Sequence, residues 1–336
     1  MALAWAHGRR IAQNLGQTQW EDAVFFRYTR DHIHTLYDCF RLRGPYPGLY
    51  RPLTTNLFYF VGLHLFGERV AGYHVILVVL VVANAVLLHR IAARMLPGRW
   101  ALVAPVVWAS RLASVEVVTH TCEFQGLFSA FWLLLAIDGF ADDRHGFTTV
   151  AFALALLSKE TATVLPGILF AYHLTVDRKP ARAFAGPLVV SVVWITAALA
   201  IRRQPTGFGF DPSAHNVLRN LSAYLLSFSN LLVRPLSDFI MPASIIRLAD
   251  HPAVEAATAI LILLDLLVVT RGGRARLAGF GFAWWLVATL PVLAFEQRLF
   301  MRYAYFGHAG LALAIAAGAA LAADAARDWS ARRRRP

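Results

Sequence analysis

The sequence predicts an all-α, polytopic membrane protein with about nine spanning helices, and three observations support that fold class. Of the 336 residues, 58% are hydrophobic and only 15% are charged, whereas soluble domains carry roughly a quarter charged residues. The mean hydropathy is +0.53. Several apolar runs reach the roughly 20 residues that cross a bilayer as a helix, and these runs are residues 70–88, 183–201, 277–295 and 304–323.

Short basic loops orient the spans, because lysine and arginine concentrate on the cytoplasmic side of a membrane. The net charge of +12 is therefore interpreted as loop charge held at an anionic leaflet, and no nucleic-acid partner is predicted. The basic loops lie at residues 90–99, 144, 178–182, 271–276 and 332–335. Crossing the bilayer between these anchors predicts spans at about 74–95, 100–116, 124–140, 146–158, 161–176, 183–201, 253–270, 278–295 and 304–323.

This threading puts the C-terminus inside and divides the chain into three parts. Residues 1–70 are predicted to form an extracytoplasmic first loop with interfacial helices. Residues 71–325 form the transmembrane bundle, which includes an outer loop at 202–252, and residues 326–336 form a basic cytoplasmic tail.

Two helical stretches do not fit the spanning pattern. Residues 53–66 are apolar but too short to cross, which predicts an interfacial or re-entrant helix. Residues 216–233 are amphipathic, and we expect them to lie flat on the outer surface. An outer N-terminus with no preceding span also predicts one more apolar helix upstream of Met1.

The predicted outer side collects acids and bases from five separate stretches of chain. A charge near bilayer depth costs roughly 2.5–3.5 kcal/mol on insertion scales, so such groups usually mark a working site. Salt bridges between helix ends would use the same residue types, which leaves a structural and a functional role both open. The outer set is Glu21, Asp22, Arg51, Arg111, Glu116, Glu123, Lys159, Glu160, Asp211, Glu296, Arg298 and Arg302.

The chemistry that this set suits is transfer from a lipid-linked phosphate. Arginine holds a phosphate bidentately and lysine holds it as a point charge, while a carboxylate such as Asp22 can take a proton from an acceptor hydroxyl. The predicted ligands of the donor phosphate are Arg51, Lys159, Arg298 and Arg302. The predicted supporting residues are Glu116, Glu160, Tyr50, Tyr303 and Tyr305, although tyrosines of this kind also form interfacial belts.

A set of short motifs follows the chain in a fixed order over about residues 20–320. The motifs are Tyr50-Arg51-Pro52-Leu53-Thr54-Thr55, Phe66-Gly67, Gly72-Tyr73-His74 with Asn84, Val115-Glu116-Val117-Val118, Leu156-Leu157-Ser158-Lys159-Glu160-Thr161-Ala162 with Pro166, Asn230-Leu231-Leu232-Val233-Arg234-Pro235-Leu236, Leu290-Pro291 and Arg302-Tyr303-Ala304-Tyr305. This ordered set resembles the GT-C-type membrane glycosyltransferases, above all the protein O-mannosyltransferases and their tetratricopeptide-bearing relatives.

The resemblance implies an inverting transferase that uses a polyprenyl- or dolichyl-phosphate sugar. It places the catalytic acids in the first outer loop, where Glu21 and Asp22 follow Trp20. The family pair is commonly Asp-Asp or Asp-Glu, so which of the two carboxylates is the base stays open. The His-Pro that usually precedes the position of Glu116 is replaced by Ala113-Ser114, and no tetratricopeptide repeats follow.

The sequence therefore predicts a glycosyltransferase of a bacterial inner membrane, with its active site facing the periplasm or exterior. Its predicted partners are a polyprenyl-phosphate sugar, a hydroxyl-bearing acceptor and membrane lipids. No cofactor is predicted, and a metal requirement stays open. The alternatives are a transporter or lipid-carrier flippase, which often carries an inverted repeat and broken midplane helices, or an inactive truncated family member.

Overall fold

The computed structural model describes residues 20–41, 44–46, 49–201, 209–229, 241, 243–269, 274–296 and 299–333. Within these ranges the chain is helical and contains no β-strand, which confirms the all-α prediction. An isolated antiparallel bridge joins Phe210 to Phe295.

Fifteen α-helices, named α1 to α15 in chain order, carry the described part of the fold. Their bounds are Trp20–His32 (α1), Leu36–Arg41 (α2), Phe58–Phe66 (α3), Val70–Met95 (α4), Trp100–Ala109 (α5), Leu112–Thr119 (α6), Phe124–Ala141 (α7), His145–Ser158 (α8), Leu165–Thr175 (α9), Arg182–Ile201 (α10), Ala214–Ser229 (α11), Ala243–Ala249 (α12), Pro252–Val269 (α13), Arg274–Thr289 (α14) and Tyr305–Arg333 (α15). A π-helical turn at Pro52–Leu57 leads into α3, and 3-10 turns lie at Thr121–Glu123, Glu160–Val164, Leu290–Val292 and Met301–Ala304.

Five segments of the described chain are long and apolar enough to cross a membrane, so the protein is an α-helical membrane protein. The segments are Val70–Met95, Thr121–Ala141, Arg182–Ala200, Ala275–Val292 and Met301–Arg332. Trp100–Ala109 and His145–Ser158 are apolar but shorter. The count of nine crossings stays a prediction.

The predicted span 100–116 is not one continuous helix. Helix α5 ends at Ala109, and Arg111 is extended, with φ −79° and ψ 150°, before α6 begins. The Arg111 guanidinium donates hydrogen bonds to the carbonyl oxygens of Val107 and Phe228, at 2.9 and 3.0 Å. We attribute the break to these bonds, because they tie the end of α5 to α11.

The two interfacial predictions correspond to helices. Residues 53–66 form the Pro52–Leu57 turn and α3, and most of residues 216–233 belong to α11, which extends to Ser229. The predicted helix upstream of Met1 lies outside the described residues.

The interior contains a crossing of α14 and α15 at which the two backbones touch. A Cβ atom added to Gly281 would lie 2.5 Å from the Gly310 carbonyl oxygen, and one added to Gly310 would lie 2.4 Å from the Gly281 oxygen. Only glycine permits this approach, and small residues at helix crossings are typical of membrane bundles. The contact fixes the start of α15 beside the end of α14, where site residues lie.

Charged residues gather at both ends of the long helices. At one end, the buried Asp138 carboxylate forms salt bridges with Arg90, Arg94 and Arg144, a set named here the arginine cluster. At the other end, Glu123 immediately precedes α7. At 1.5 Å per residue, Glu123 and Asp138 lie about 22 Å apart along this helix, which places the two charged ends on opposite sides of the apolar layer.

Candidate functional site

A buried ion pair forms the centre of the candidate site. Arg302, in the 3-10 turn before α15, donates from Nη1 to Glu123 Oε1 at 2.7 Å. The two side chains are 12% and 4% exposed. Each charge therefore depends on the other for compensation, and the pair ties the start of α15 to the start of α7.

A second ion pair lies beside the first and joins the first loop to the end of α8. Arg51 Nε donates to Glu160 Oε2 at 2.6 Å, and Nη2 donates to Oε1, which makes a bidentate pair. Arg51 Nη1 donates to Gln125 Oε1. Burial raises the pKa of the Glu160 carboxyl, but the charge and hydrogen bonds of Arg51, together with the Glu160 backbone N–H and Lys159, lower it to about 2. Three of the five N–H groups of Arg51 are thus held by protein atoms.

Lys159 lies between these two pairs and has no such partner. Its side chain is mostly buried, with 8% of the residue exposed, and its ammonium lies 5.4 Å from the centre of the Tyr303 ring. Within the described part of the chain, no carboxylate forms a salt bridge with it. Burial lowers the pKa of the ammonium; Glu123 opposes this shift, and the guanidinium of Arg51 reinforces it. The charge of Lys159 is therefore compensated less directly than the charges of Arg51 and Arg302.

Lys159, Arg302 and Tyr303 lie at the polar end of a cleft, named here the α7–α15 cleft. The other lining residues are mainly small or apolar: Gly126, Ser129, Ala130, Leu133, Thr161, Val164, Ala288, Val292, Tyr305 and Phe306. From Gly126 to Leu133 the cleft follows α7 for about 10 Å into the apolar layer. Its volume is about 40 Å³, which holds one or two water-sized groups. A larger group would enter only if the side chains at its mouth moved apart.

Asp22 lies next to this site but is enclosed by protein. Its Oδ1 accepts a hydrogen bond from the Cys122 backbone N–H at 2.8 Å, which fastens α1 to the turn that carries Glu123. The residue is fully buried. Burial raises the pKa of the Asp22 carboxyl, and groups at positions 120–122 oppose that shift. In this arrangement the carboxylate holds α1 in place and is closed off from solvent.

Two predicted site residues are beyond the described side chains. Glu21 belongs to α1 and precedes Asp22, but its side chain is not among those described. Arg298 lies outside the described residues. Their predicted roles stay predictions.

Of the three predicted tyrosines, Tyr303 alone contacts the Lys159 ammonium. The Tyr50 hydroxyl donates to the Phe40 carbonyl oxygen at 2.7 Å and so binds the first loop to α2. Tyr305 is buried, and its hydroxyl oxygen accepts a hydrogen bond from Asn84 at 3.3 Å. Tyr305 also lines the α7–α15 cleft, whereas the contact made by Tyr50 is structural.

Several residues of the site were missed from the sequence. Glu123 belongs to the predicted outer set without a predicted role, and the sequence patterns assign no role to Gln125 or Tyr224. The available signal was a polar pair, Glu123 and Gln125, at the start of a long apolar run. Tyr224 gave no such signal, because it lies in an amphipathic helix.

Glu116 is buried near the ion pairs, and its predicted supporting role stays a prediction. Neither of its carboxylate oxygens has a hydrogen-bond partner in the described part of the chain. Burial raises the pKa of the Tyr224 hydroxyl, and nearby Tyr303 and Glu116 raise it further. Glu116 therefore faces the same group of residues as Arg302 and Tyr303.

Comparison with protein-family models, with curated proteins and with solved structures gives no match to this chain. The functional assignment therefore depends on two things. One is the arrangement of charges around the α7–α15 cleft, and the other is the resemblance of the ordered motifs.

Proposed function

We propose that the protein is an integral-membrane glycosyltransferase. It transfers a hexose, such as mannose, from a polyprenyl-phosphate donor to a hydroxyl acceptor, with inversion at the anomeric carbon. The observation that carries the proposal is the Lys159 ammonium, which lies without a salt-bridge partner among the described residues at the head of an apolar-walled cleft. An anionic head group with an apolar chain matches the chemistry of this cleft, and the cleft must widen from about 40 Å³ to admit it.

The proposed topology places the ends of the helices near Lys159 and Arg302 on the extracytoplasmic side of a bacterial inner membrane. The arginine cluster then lies at the cytoplasmic side, in agreement with the distribution of basic loops. The proposal keeps nine passes, with α5, α8, α9 and α13 added to the five long segments. The donor enters the α7–α15 cleft laterally from the outer leaflet.

In the proposed reaction, Lys159 and Arg302 hold the donor phosphate, with Arg298 and Arg51 as further ligands. Asp22 or Glu21 takes the proton of the acceptor hydroxyl, and the oxygen attacks the anomeric carbon opposite the phosphate. The bond between that carbon and the phosphate oxygen breaks, and polyprenyl phosphate leaves with the electron pair. Cations positioned where this negative charge develops lower the barrier, and the transition state resembles an oxocarbenium ion.

The test uses purified protein in lipid vesicles, with polyprenyl-phosphate mannose as donor and a soluble mannoside as acceptor. Lys159→Met keeps the side-chain length but removes the charge, and we expect it to slow transfer by about 10²–10³-fold. Glu21→Gln combined with Asp22→Asn removes both bases, and we expect a loss of at least about 10²-fold.

The matched control is Arg178→Met, which removes an exposed cation at the end of the bundle that holds the arginine cluster, and we expect it to retain transfer. Full transfer by either site variant would contradict the assignment. Movement of the donor across the vesicle membrane with no transfer would instead favour the transporter alternative.

A further inference from the structure

A second, larger cleft lies between α1 and α3, away from the two ion pairs. Its volume is about 340 Å³, which falls in the range of small-molecule sites. The lining residues combine an apolar floor with a polar rim, and they are Thr29, Arg30, Ile33, His34, Phe60, Leu63 and His64. We propose that this α1–α3 cleft binds a neutral hexopyranose unit of the acceptor.

Thr29 supplies the first observation that points to a ligand. The residue is 1% exposed, and its hydroxyl oxygen has no hydrogen-bond partner among the residues that the structure describes. A helical threonine commonly satisfies its hydroxyl by donating to a carbonyl of the preceding turn, as Thr175 does to Ala171 at 2.6 Å. Leaving a buried hydroxyl unpaired is costly. A ligand hydroxyl in the cleft removes that cost.

His64 and Phe60 give the opposite wall the chemistry that a sugar needs. His64 Nδ1 donates to the Phe60 carbonyl oxygen at 2.7 Å, which in the neutral ring leaves Nε2 as a hydrogen-bond acceptor. The Phe60 ring lies 4.6 Å from the His64 ring and adds an aromatic surface. A pyranose presents hydroxyl groups around its edge and C–H groups on its face, so it matches both features.

The charge of the cleft argues against an anionic ligand. Arg30 is the one guanidinium among the lining residues, and it already forms a salt bridge and hydrogen bond with Glu68. The Glu68 carboxylate already compensates the charge of Arg30, so a phosphate or carboxylate would have to compete with it. A neutral ligand with several hydroxyl groups requires no such exchange.

The position of the cleft connects it to the proposed reaction. Asp22 and Thr29 both belong to α1, about 10 Å apart at 1.5 Å per residue. An acceptor whose hexose is bound in the cleft would therefore place the hydroxyl of an adjoining unit near Asp22. This acceptor role rests on the proposed function, whereas saccharide binding itself does not.

The binding test uses the full chain in lipid nanodiscs without any donor lipid. Saturation-transfer NMR measures binding of methyl α-D-mannopyranoside, with mannose 6-phosphate as the anionic comparison. We expect the wild type to bind the mannoside and Thr29→Val to bind it about fivefold more weakly, because one hydrogen bond is lost. Thr29→Ser restores the hydroxyl and should bind like the wild type. Thr175→Val is the matched control, since it changes a buried helical threonine far from the cleft.

Phe60→Leu removes the aromatic ring from the opposite wall, and we expect it to weaken mannoside binding. This variant tests saccharide binding even if Thr29→Val does not fold. The proposal is overturned if the wild type does not bind the mannoside, if neither Thr29→Val nor Phe60→Leu weakens binding, or if mannose 6-phosphate binds about tenfold more tightly.

Failure of this inference is separable from failure of the proposed function. In the transfer assay, Thr29→Val should raise the acceptor KM about fivefold and leave kcat unchanged. Mannoside binding without any transfer would retain the α1–α3 cleft and reject the transferase. Transfer by Thr29→Val with an unchanged acceptor KM would retain the transferase and reject the α1–α3 cleft as the acceptor site.

Discussion

Removing Glu123 should destabilise the protein more than removing its ion-pair partner Arg302. A Cβ atom added to Gly126 would lie 3.6 Å from Lys159 Nζ and 3.7 Å from Glu123 Oε2, so these two groups are close to each other. The Glu123 carboxylate therefore faces two cations, Arg302 and Lys159. Glu123→Gln leaves both cations without compensation, and we expect it to cost about 3–5 kcal/mol, the usual loss when one member of a buried pair is removed. Arg302→Met leaves Glu123 beside Lys159, and the expected cost is about 1–3 kcal/mol.

The measurement is unfolding of the purified protein in mixed micelles with increasing SDS, followed by the fluorescence of its nine tryptophans. The double variant with Glu123→Gln and Arg302→Met should be more stable than the sum of the single losses implies, by about 1–3 kcal/mol, because the two residues contact each other.

Equal destabilisation by Arg302→Met and Glu123→Gln would show that Lys159 does not compensate Glu123. Strict additivity in the double variant would refute the contact itself. The conservative variant Arg302→Lys serves as a control, since it keeps the charge and should lose less stability than Arg302→Met.

Three further predictions concern stability. The carboxyl pKa of Glu160 is about 2 in the folded protein against an ordinary 4.5, so its pair with Arg51 stabilises the fold above pH 4.5 and this stabilisation is lost as the pH falls towards 2. Glu160→Gln should therefore flatten the acid limb of a plot of unfolding midpoint against pH. The effect is limited because this side chain is 36% exposed. Gly281→Ala should cost at least about 1–3 kcal/mol in the SDS titration through overpacking. Gly318→Ala should be neutral or slightly stabilising, because no atom of another described element lies within 4 Å of the added Cβ; equal effects would contradict the backbone contact. Asp138→Asn removes the carboxylate shared by the three arginines, while Asp142 still pairs with Arg94 and Arg144; it should lower the free energy of unfolding by about 1–3 kcal/mol, and retention of wild-type stability would show that the arginine cluster contributes nothing.

Much of the fold could be predicted because hydropathy depends on composition over a window of about 20 residues. The long apolar runs became α4, α10, α14 and α15. The break at Arg111 could not be predicted, because the carbonyl oxygen of Phe228 that it binds is distant in the sequence. Window averages contain no information about such tertiary contacts.

The sequence indicates which charged residues lie at the same end of the bundle, but it does not indicate which of them pair. Lys159 and Arg302 were expected at the same end of the bundle, and both lie on Tyr303. That Arg51 pairs with Glu160 depends on how each helix is rotated about its axis, which charge patterns do not specify. The enclosure of Asp22 depends in turn on how α1 packs, so neither result was available from the sequence.

The separation of the two charged ends of α7 determines which bilayer thickness suits the protein. The roughly 22 Å between Glu123 and Asp138 is shorter than the roughly 30 Å hydrocarbon core of an average membrane, so lipid must thin around this helix or polar side chains must reach outward. Lipids with shorter acyl chains therefore suit the molecule, and longer chains would draw the mouth of the α7–α15 cleft below the head groups.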